Sequence, residues 1–367
     1  MPGLVFLLGV LITIGGCSSK IEGPISSSDQ VRPTLNENVT RHMPGKHSSS
    51  RAVFKKGGKW RGFNALQTSK VAWNNKASRQ SLLNMIAVGA NSVAVIVFLK
   101  QNGPNSTDIR AANNVTPGQL IAAIETAHQL GLKVVLKPQI LVRGSWAGAI
   151  SFSNSNQMQS WFKNYSAHLL QYARLCQRLG VEALVIGTEL KGIARDLPWL
   201  ELIRQLRREF RGKLTYAAHN VDGVENFPYW YKLDAIGVSL YPELGDMGEY
   251  DEMFTHVEHS MYKLGQAIKN QRTRTVWLLE IGMPSAEGYS SQPWQWKSLH
   301  KNRDRVDLTM QTGAVAAWLN VINRTRYVDG VFFWSWYSDP HAGGAHDLDY
   351  TVQNKPAEIM IRQYWRN

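Results

Sequence analysis

The sequence predicts an α/β protein built as a (β/α)8 TIM barrel, and two observations support this prediction. Eight short apolar segments, most of them rich in β-branched residues, alternate with longer segments whose apolar residues recur at helical spacing. Such strands are typical of a parallel sheet that is buried on both faces. A chain of 367 residues is also long enough for one barrel, which usually needs about 250 residues. A doubly wound sheet is the alternative, but the turn after the first predicted strand has no GxGxxG phosphate motif.

The eight predicted strands share a nearly continuous apolar character. They span residues 60–64, 92–98, 133–138, 183–188, 214–218, 235–239, 275–279 and 331–334. In the segment between the second and third strands, Thr116 suits a helix N-cap, Pro117 suits the first helical position, and Gln119 completes a capping box. Gly131 ends this helix. Helical spacing predicts three more helices, over residues 158–175, from Pro198 onwards and over residues 315–322.

The composition is that of an ordinary globular protein, with 44% hydrophobic and 19% charged residues. The formal net charge is +13, but the basic residues are dispersed, which argues against nucleic-acid binding. An acidic glycan or an envelope surface remains compatible with this charge. The 13 tryptophans and 13 tyrosines are many for this length, and surplus aromatic residues often line a groove. Cys17 and Cys176 form no CxxC pair, so neither a zinc ribbon nor a redox dithiol is predicted.

The start of the chain predicts export and anchoring. Residues 4–14 are apolar but too few to span a bilayer, and the string Ile14-Gly15-Gly16-Cys17 resembles the bacterial lipobox. The resemblance implies acylation of Cys17 and a lipoprotein of the bacterial cell envelope. Ser18 after the cysteine favours the outer membrane, although no Lys or Arg precedes the apolar run. We therefore predict a signal peptide at residues 1–17, a flexible polar tether at 18–55 and the barrel at 56–367.

Two of the predicted strands end in a glutamate. Glu189 follows the fourth strand and Glu280 the seventh, and a carboxylate on an apolar strand is costly unless it is paired or used in catalysis. In a (β/α)8 barrel the chemistry takes place at the C-terminal ends of the strands. A retaining glycosidase needs two carboxyl groups about 5–5.5 Å apart, one as acid and base and the other as nucleophile. Structural ion pairs with Arg or Lys are the alternative explanation.

Glutamates at the ends of strands four and seven form the pattern of the clan A glycoside hydrolases. Within that clan the chain resembles glycoside hydrolase family 113, the β-1,4-mannanase family, from about residue 59 to residue 364. The similarity rests on short motifs in the same order, among them Arg61-Gly62-Phe63-Asn64, Lys137-Pro138, Gly187-Thr188-Glu189-Leu190, Glu280-Ile281-Gly282 and Phe333-Trp334-Ser335-Trp336.

The resemblance also implies roles for individual residues. It makes Glu189 the acid/base, Glu280 the nucleophile, Tyr241 a hydrogen-bond donor that orients the nucleophile, and Trp334 the floor of the subsite at the cleaved bond. The chain departs from the expected pattern at three positions near the sugar. These are Thr188, Gln139 and Met283, where Asn, His and Tyr are expected.

Further candidate substrate-binding residues lie at or just beyond the predicted strand ends. Asn64, Lys137 and Asn220 are polar and could hydrogen-bond sugar hydroxyls. Tryptophans in the connecting segments could stack on pyranose rings, with packing inside the loops as the alternative. They are Trp146, Trp294 and Trp296.

The residues after the last strand raise the question of a metal site. His341, His346, Asp347 and Asp349 cluster there, but their spacing matches no standard metal site. We predict no metal and no cofactor, because a retaining glycosidase needs neither.

The sequence therefore predicts a retaining glycoside hydrolase that cleaves a β-linked polysaccharide or oligosaccharide, with mannan-type substrates favoured. An envelope enzyme acting on amino-sugar or exopolysaccharide chains is one alternative. A catalytically silent glycan-binding lipoprotein is another, although the presence of Glu189, Glu280 and Tyr241 argues against it. The predicted partners are the polysaccharide and the membrane, reached through the lipid anchor, and we expect a monomer.

Overall fold

The computed structural model of the protein describes residues 58–273, 275–295, 299 and 304–366. Cys17, the predicted signal peptide and the predicted tether lie outside the described residues, and so does Trp296. Among the helices that the structure describes, none has the length and apolar character needed to cross a membrane.

The described residues contain nine β-strands, all but one of which form a closed ring. They are β1 (Trp60–Leu66), β2 (Ser92–Gln101), β3 (Ile109–Ala111), β4 (Lys133–Val142), β5 (Ala183–Thr188), β6 (Lys213–His219), β7 (Ala235–Ser239), β8 (Val276–Ile281) and β9 (Val328–Tyr337). All except β3 pair in parallel with their neighbours, and β1 closes the ring by pairing with β2 and with β9. The short strand β3 lies antiparallel to the end of β2. The predicted (β/α)8 barrel is confirmed.

Helices connect the strands and pack their apolar faces against the outside of the ring. They are α1 (Lys76–Val88), α2 (Pro117–Gln129), α3 (Ser155–Leu179), α4 (Pro198–Glu209), α5 (Asn220–Asn226), α6 (Tyr250–Ile268), α7 (Leu308–Arg324) and α8 (Pro356–Arg366). The capping box predicted for α2 is confirmed. Thr116 Oγ1 accepts from the backbone N–H of Gln119 at 3.3 Å, and Gln119 Oε1 accepts from that of Thr116 at 2.8 Å. The left-handed Gly131, with φ 82°, follows the helix as predicted.

The lower part of the barrel interior is filled by alternating residues of the strands. Trp60 and Trp277 lie near the N-terminal ends of β1 and β8, and their ring centroids are 4.7 Å apart. Small residues on the other strands make room for these two rings; they are Ala94, Ala183, Ala217 and Ala235. The lower part of the barrel interior is therefore a packed core, and the buried charged groups lie nearer the C-terminal ends of the strands.

An extra residue interrupts the pairing of β8, the strand that carries Glu280, with its neighbour β7. Val238 pairs with Leu278 but Ser239 pairs with Glu280, so β8 has one residue more than β7 over this stretch. The extra residue, Leu279, belongs to the apolar interior. Because side chains alternate along a regular strand, Glu280 would point away from the interior without the extra residue. The bulge thus turns Glu280 towards the barrel mouth.

Candidate active site

The two glutamates predicted to be catalytic are brought together at the C-terminal end of the barrel. Glu189 directly follows β5, and Glu280 lies in β8. Their residues are 6% and 2% exposed, respectively. They are near enough to interact electrostatically, since the charge of Glu189 contributes to raising the pKa of Glu280. Two carboxylates that share one buried site are typical of acid–base and nucleophilic chemistry.

Glu280 is held by hydrogen bonds to both of its carboxylate oxygens. Oε1 accepts from the Lys137 ammonium and from Gln139 Nε2, which lies at 2.8 Å. Oε2 accepts from the Tyr241 hydroxyl at 3.2 Å, the contact that the family resemblance implies. Burial raises the pKa of Glu280 above its ordinary value, and the positive charge of Lys137 opposes that shift. The carboxylate is therefore oriented by three donors, one of them charged.

Glu189 has a different partner. His219 Nδ1 lies 3.2 Å from Glu189 Oε1, and the imidazole packs edge-on against Trp146, with ring centroids 4.8 Å apart. Burial opposes protonation of His219, but the charge and hydrogen bond of Glu189, together with the charge of Asp222, outweigh it, so the pKa of His219 is raised. Glu189 adopts φ 55°, a conformation uncommon for a residue with a side chain, and its N–H donates to the Ala217 carbonyl at 2.8 Å. The backbone thus turns sharply to aim this carboxylate.

Asn64 and Lys137, both predicted to contact sugar, are enclosed by protein groups. Lys137 Nζ donates to Asn64 Oδ1 at 3.0 Å and to the Leu279 carbonyl at 3.2 Å, as well as to Glu280. Asn64 Nδ2 donates to the same Leu279 carbonyl at 2.9 Å. Both residues are fully buried. In this structure they support Glu280 from below instead of presenting polar atoms to a sugar.

Three of the four remaining predicted binding residues that the structure describes contact groups that hold the two carboxylates. Asn220 Oδ1 accepts from the Tyr241 backbone N–H at 3.0 Å, so it ties the start of α5 to the segment after β7. Trp146 is buried beside His219. Trp334 is half-buried, and its ring centroid lies 5.8 Å from Lys137 Nζ. Trp294 is also half-buried. Contacts between these rings and a sugar stay predictions.

Sequence reasoning missed His219 and gave Gln139 no role. The available signal was strand alternation. His219 lies two residues beyond Ala217, which is part of the barrel interior, and Gln139 lies two residues beyond Lys137 on β4. Because alternate residues share a face, each of these side chains points to the same side as its predecessor.

The acidic residues considered for a metal have protein partners. Asp347 Oδ1 lies 2.8 Å from Lys355 Nζ, a buried ammonium that also donates to Ser285 Oγ at 2.8 Å. Asp349 accepts a hydrogen bond from Tyr337. His341 and His346 are exposed. These contacts join the segment after β9 to the segment after β8, so the acidic residues stabilise the loops around the site.

A closed parallel barrel with two interacting carboxylates at the C-terminal ends of strands, one held by Tyr and Lys and the other by His, defines the class of a (β/α)8 glycoside hydrolase. The model of Glycoside Hydrolase Family 113 matches residues 62–355, and the chain belongs to this family. The predicted family is confirmed, and so is the predicted class of enzyme, a retaining β-glycoside hydrolase. No curated protein that was compared matches the sequence significantly.

Solved structures agree with this membership. The complex structure of a GH113 β-1,4-mannanase superposes with a TM-score of 0.75 at 25% identity, covering 84% of this chain and 99% of that one. The GH113 β-mannanase of Alicyclobacillus acidocaldarius gives a TM-score of 0.70 at 24% identity, covering 85% and 98%. A β-glucuronidase of Ruminococcus gnavus, with a TM-score of 0.59 at 12% identity over 84% of this chain and half of that one, shares the fold alone.

Proposed function

We propose that this enzyme cleaves β-1,4-linked, mannan-type polysaccharide or oligosaccharide by double displacement, with Glu280 as the nucleophile and Glu189 as the acid/base. The observation that carries the assignment of roles is the difference between the partners of the two carboxylates. Glu280 is fixed by the permanent donors Lys137, Gln139 and Tyr241. Glu189 contacts the titratable His219.

In the first step Glu280 attacks the anomeric carbon while Glu189 protonates the departing glycosidic oxygen. The carbon–oxygen bond to the leaving sugar breaks, and an ester between the glycosyl unit and Glu280 forms. In the second step Glu189, now a carboxylate, takes a proton from water, whose oxygen attacks the same carbon and releases Glu280. Two inversions at one carbon give net retention.

The assignment of the two roles is tested by azide rescue of alanine variants. Glu280→Ala and Glu189→Ala should each reduce turnover of polysaccharide by about 10⁴-fold or more. With an activated aryl β-glycoside, azide should restore Glu189→Ala and give a β-glycosyl azide, because the covalent intermediate still forms. Azide should restore Glu280→Ala by direct attack and give the α-glycosyl azide. Wild-type rates in either variant, or the reverse stereochemistry, would contradict the assignment.

The substrate class is supported by the similarity to the β-1,4-mannanase structures and tested with a panel of polymers. Mannan, β-glucan, xylan and amino-sugar polymers are incubated with the enzyme, and the released sugars are identified. Release of mannose or manno-oligosaccharides supports the proposal. The net charge of +13 favours a second candidate, an anionic exopolysaccharide or amino-sugar polymer of the cell envelope, and release from these polymers alone would replace mannan.

We also propose that the enzyme is a monomeric lipoprotein of the bacterial envelope, anchored through Cys17 and favouring the outer membrane. The support is the string Ile14-Gly15-Gly16-Cys17 followed by Ser18. Wild-type protein should incorporate labelled fatty acid and fractionate with outer membranes, whereas Cys17→Ala should do neither. Light scattering of the protein without residues 1–17 measures its mass. A mass of two chains would contradict the expected monomer.

A further inference from the structure

A lysine ammonium is buried inside the barrel at the catalytic end. Lys137 has 0% of its surface exposed, and its Nζ has three acceptors, Asn64 Oδ1, the Leu279 carbonyl oxygen and Glu280 Oε1. An ammonium group has three N–H donors and no acceptor. Three acceptors for three donors fit the protonated form, because a neutral amine would leave one acceptor without its hydrogen. Lys137 therefore forms an ion pair with Glu280.

The ion pair makes the two oxygens of Glu280 unequal. Oε1 receives the charged donor Lys137 and the amide of Gln139 at 2.8 Å. Oε2 receives one neutral donor, the Tyr241 hydroxyl at 3.2 Å. Hydrogen bonds to charged donors are about twice as strong as neutral ones, so negative charge and lone pairs are held more tightly at Oε1. The oxygen with the weaker contact is the better nucleophile.

On the basis of the proposed role of Glu280, we propose that Lys137 is a positioning residue that, together with Gln139, anchors Oε1 and leaves Oε2 to bond to the anomeric carbon. As the Oε2–carbon bond forms, the carboxylate becomes a neutral ester, and Lys137 loses its anionic partner. When water attacks in the second step, the same bond breaks and its electron pair returns to Glu280. The ammonium therefore stabilises the departing carboxylate, so it accelerates the release of the glycosyl-enzyme more than its formation.

Two measurements separate this role from simple support of the fold. In Lys137→Met, which has a similar volume without charge, release of the glycosyl-enzyme should become limiting. On an activated aryl glycoside, kcat should fall about 10²-fold while kcat/KM changes much less. A rapid burst of the released phenol should precede the steady state. Intact-mass measurement should then show the protein carrying one glycosyl unit. These assays are done on the plateau of the pH profile.

The pH profile gives the second measurement. The titratable groups packed around Glu280 in the described residues are Lys137 on β4, Glu189 after β5, Tyr241 after β7 and Tyr350 after β9. Lys137 is the cation among these four. An opposite charge this close lowers the pKa of a carboxyl by about 1–3 units. Removing the Lys137 ammonium should therefore shift the acidic limb of the kcat/KM profile to higher pH by about the same amount.

Lys355→Met is a matched control for losing a buried ammonium. Lys355 is also buried and also ion-paired, with Asp347 at 2.8 Å, but it lies in the loops and does not contact Glu280. It should lower the melting temperature without a burst and without a shift of the acidic limb. Gln139→Leu removes the second donor to Oε1 and should produce a smaller burst, and it tests the proposal if Lys137→Met does not fold.

The outcomes distinguish the proposal from the function on which it rests. The anchoring of Oε1 is supported if Lys137→Met or Gln139→Leu shows a product burst and an acidic limb of kcat/KM shifted to higher pH. Lys355→Met should show neither change. Reduced stability with an unchanged pH profile and no covalent species in both variants would overturn it, even if Glu280→Ala is inactive. Normal turnover by Glu280→Ala would instead refute the proposed function itself.

Discussion

Replacing His219 should change how the enzyme uses the proton of its acid/base. His219 Nδ1 lies 3.2 Å from Glu189 Oε1, and the two side chains are only 21% and 8% exposed, so solvent screens the contact weakly. His219→Phe removes the contact, whereas His219→Asn places an amide donor near the position of Nδ1. A hydrogen bond to a charged group is worth about 1.5–3 kcal/mol, which corresponds to a loss of about 10- to 150-fold in kcat for His219→Phe.

The leaving group and the pH profile provide the assay. Cleavage of a polysaccharide bond needs a proton on the departing oxygen, but an activated aryl glycoside departs without one. The loss in His219→Phe should therefore be at least about tenfold larger on the polysaccharide in the glycosylation step. Because the pKa of His219 is raised, the His219–Glu189 pair still holds one proton at pH values above the ordinary pKa of imidazole. In His219→Asn only a carboxyl can hold that proton, so the basic limb should move to lower pH.

Equal losses of activity on the polysaccharide and the aryl glycoside would show that His219 has only a structural role. An unchanged basic limb in His219→Asn would refute the idea that His219 and Glu189 share a proton. The control is Trp146→Phe, which alters the ring packed against His219 without touching Glu189. That variant should retain the basic limb of the wild-type enzyme.

Three further variants test other parts of the structure. Tyr241→Phe removes the neutral donor to Glu280 Oε2 and should lower kcat about 10²-fold in steady-state assays, with the melting temperature nearly unchanged; an unchanged kcat would exclude an orienting role. Trp277→Ala empties the lower barrel interior next to Trp60 and should cost about 3–5 kcal/mol in chemical denaturation, so a loss below about 1 kcal/mol would contradict the packed core. Thr116→Ala removes the α2 cap and should cost about 1 kcal/mol with normal kcat; loss of activity without loss of stability would show an unexpected role for this helix in catalysis.

The strand framework could be predicted from the sequence because each buried parallel strand leaves a continuous apolar segment. The predicted strands 183–188 and 235–239 coincide with β5 and β7, and the others differ mainly at their ends. The α2 cap was predictable for a similar reason, since Thr116, Pro117 and Gln119 interact within one turn. The short strand β3 and the helix α5 have no comparable local signal, because both depend on contacts that form only in the barrel.

The candidate site could be predicted in part. Glu189 and Glu280 were found because a carboxylate on an apolar strand is conspicuous. The bulge at Leu279 was not predictable, because a one-residue excess in β8 depends on its pairing with β7 and β9. The burial of Lys137 was also missed, since a lysine at a strand end normally reaches solvent and only the three-dimensional structure supplies its three acceptors.

The electrostatics of the site explain why two buried glutamates can differ in role. Each carboxylate has its own basic partner, Lys137 for Glu280 and His219 for Glu189, so the two negative charges are compensated separately. Among the described residues, Lys137 has an acceptor for every N–H, and Glu280 is the one titratable group that it hydrogen-bonds, so this pair keeps a fixed anion. Contact with Glu189 raises the pKa of His219 against the opposing effect of burial, and the imidazole can pass a proton to and from Glu189. A fixed anion suits attack on carbon, and a carboxyl linked to an exchangeable proton suits general acid and base catalysis. This assignment of roles depends on the hydrogen-bond partner of each glutamate and not on which strand carries it.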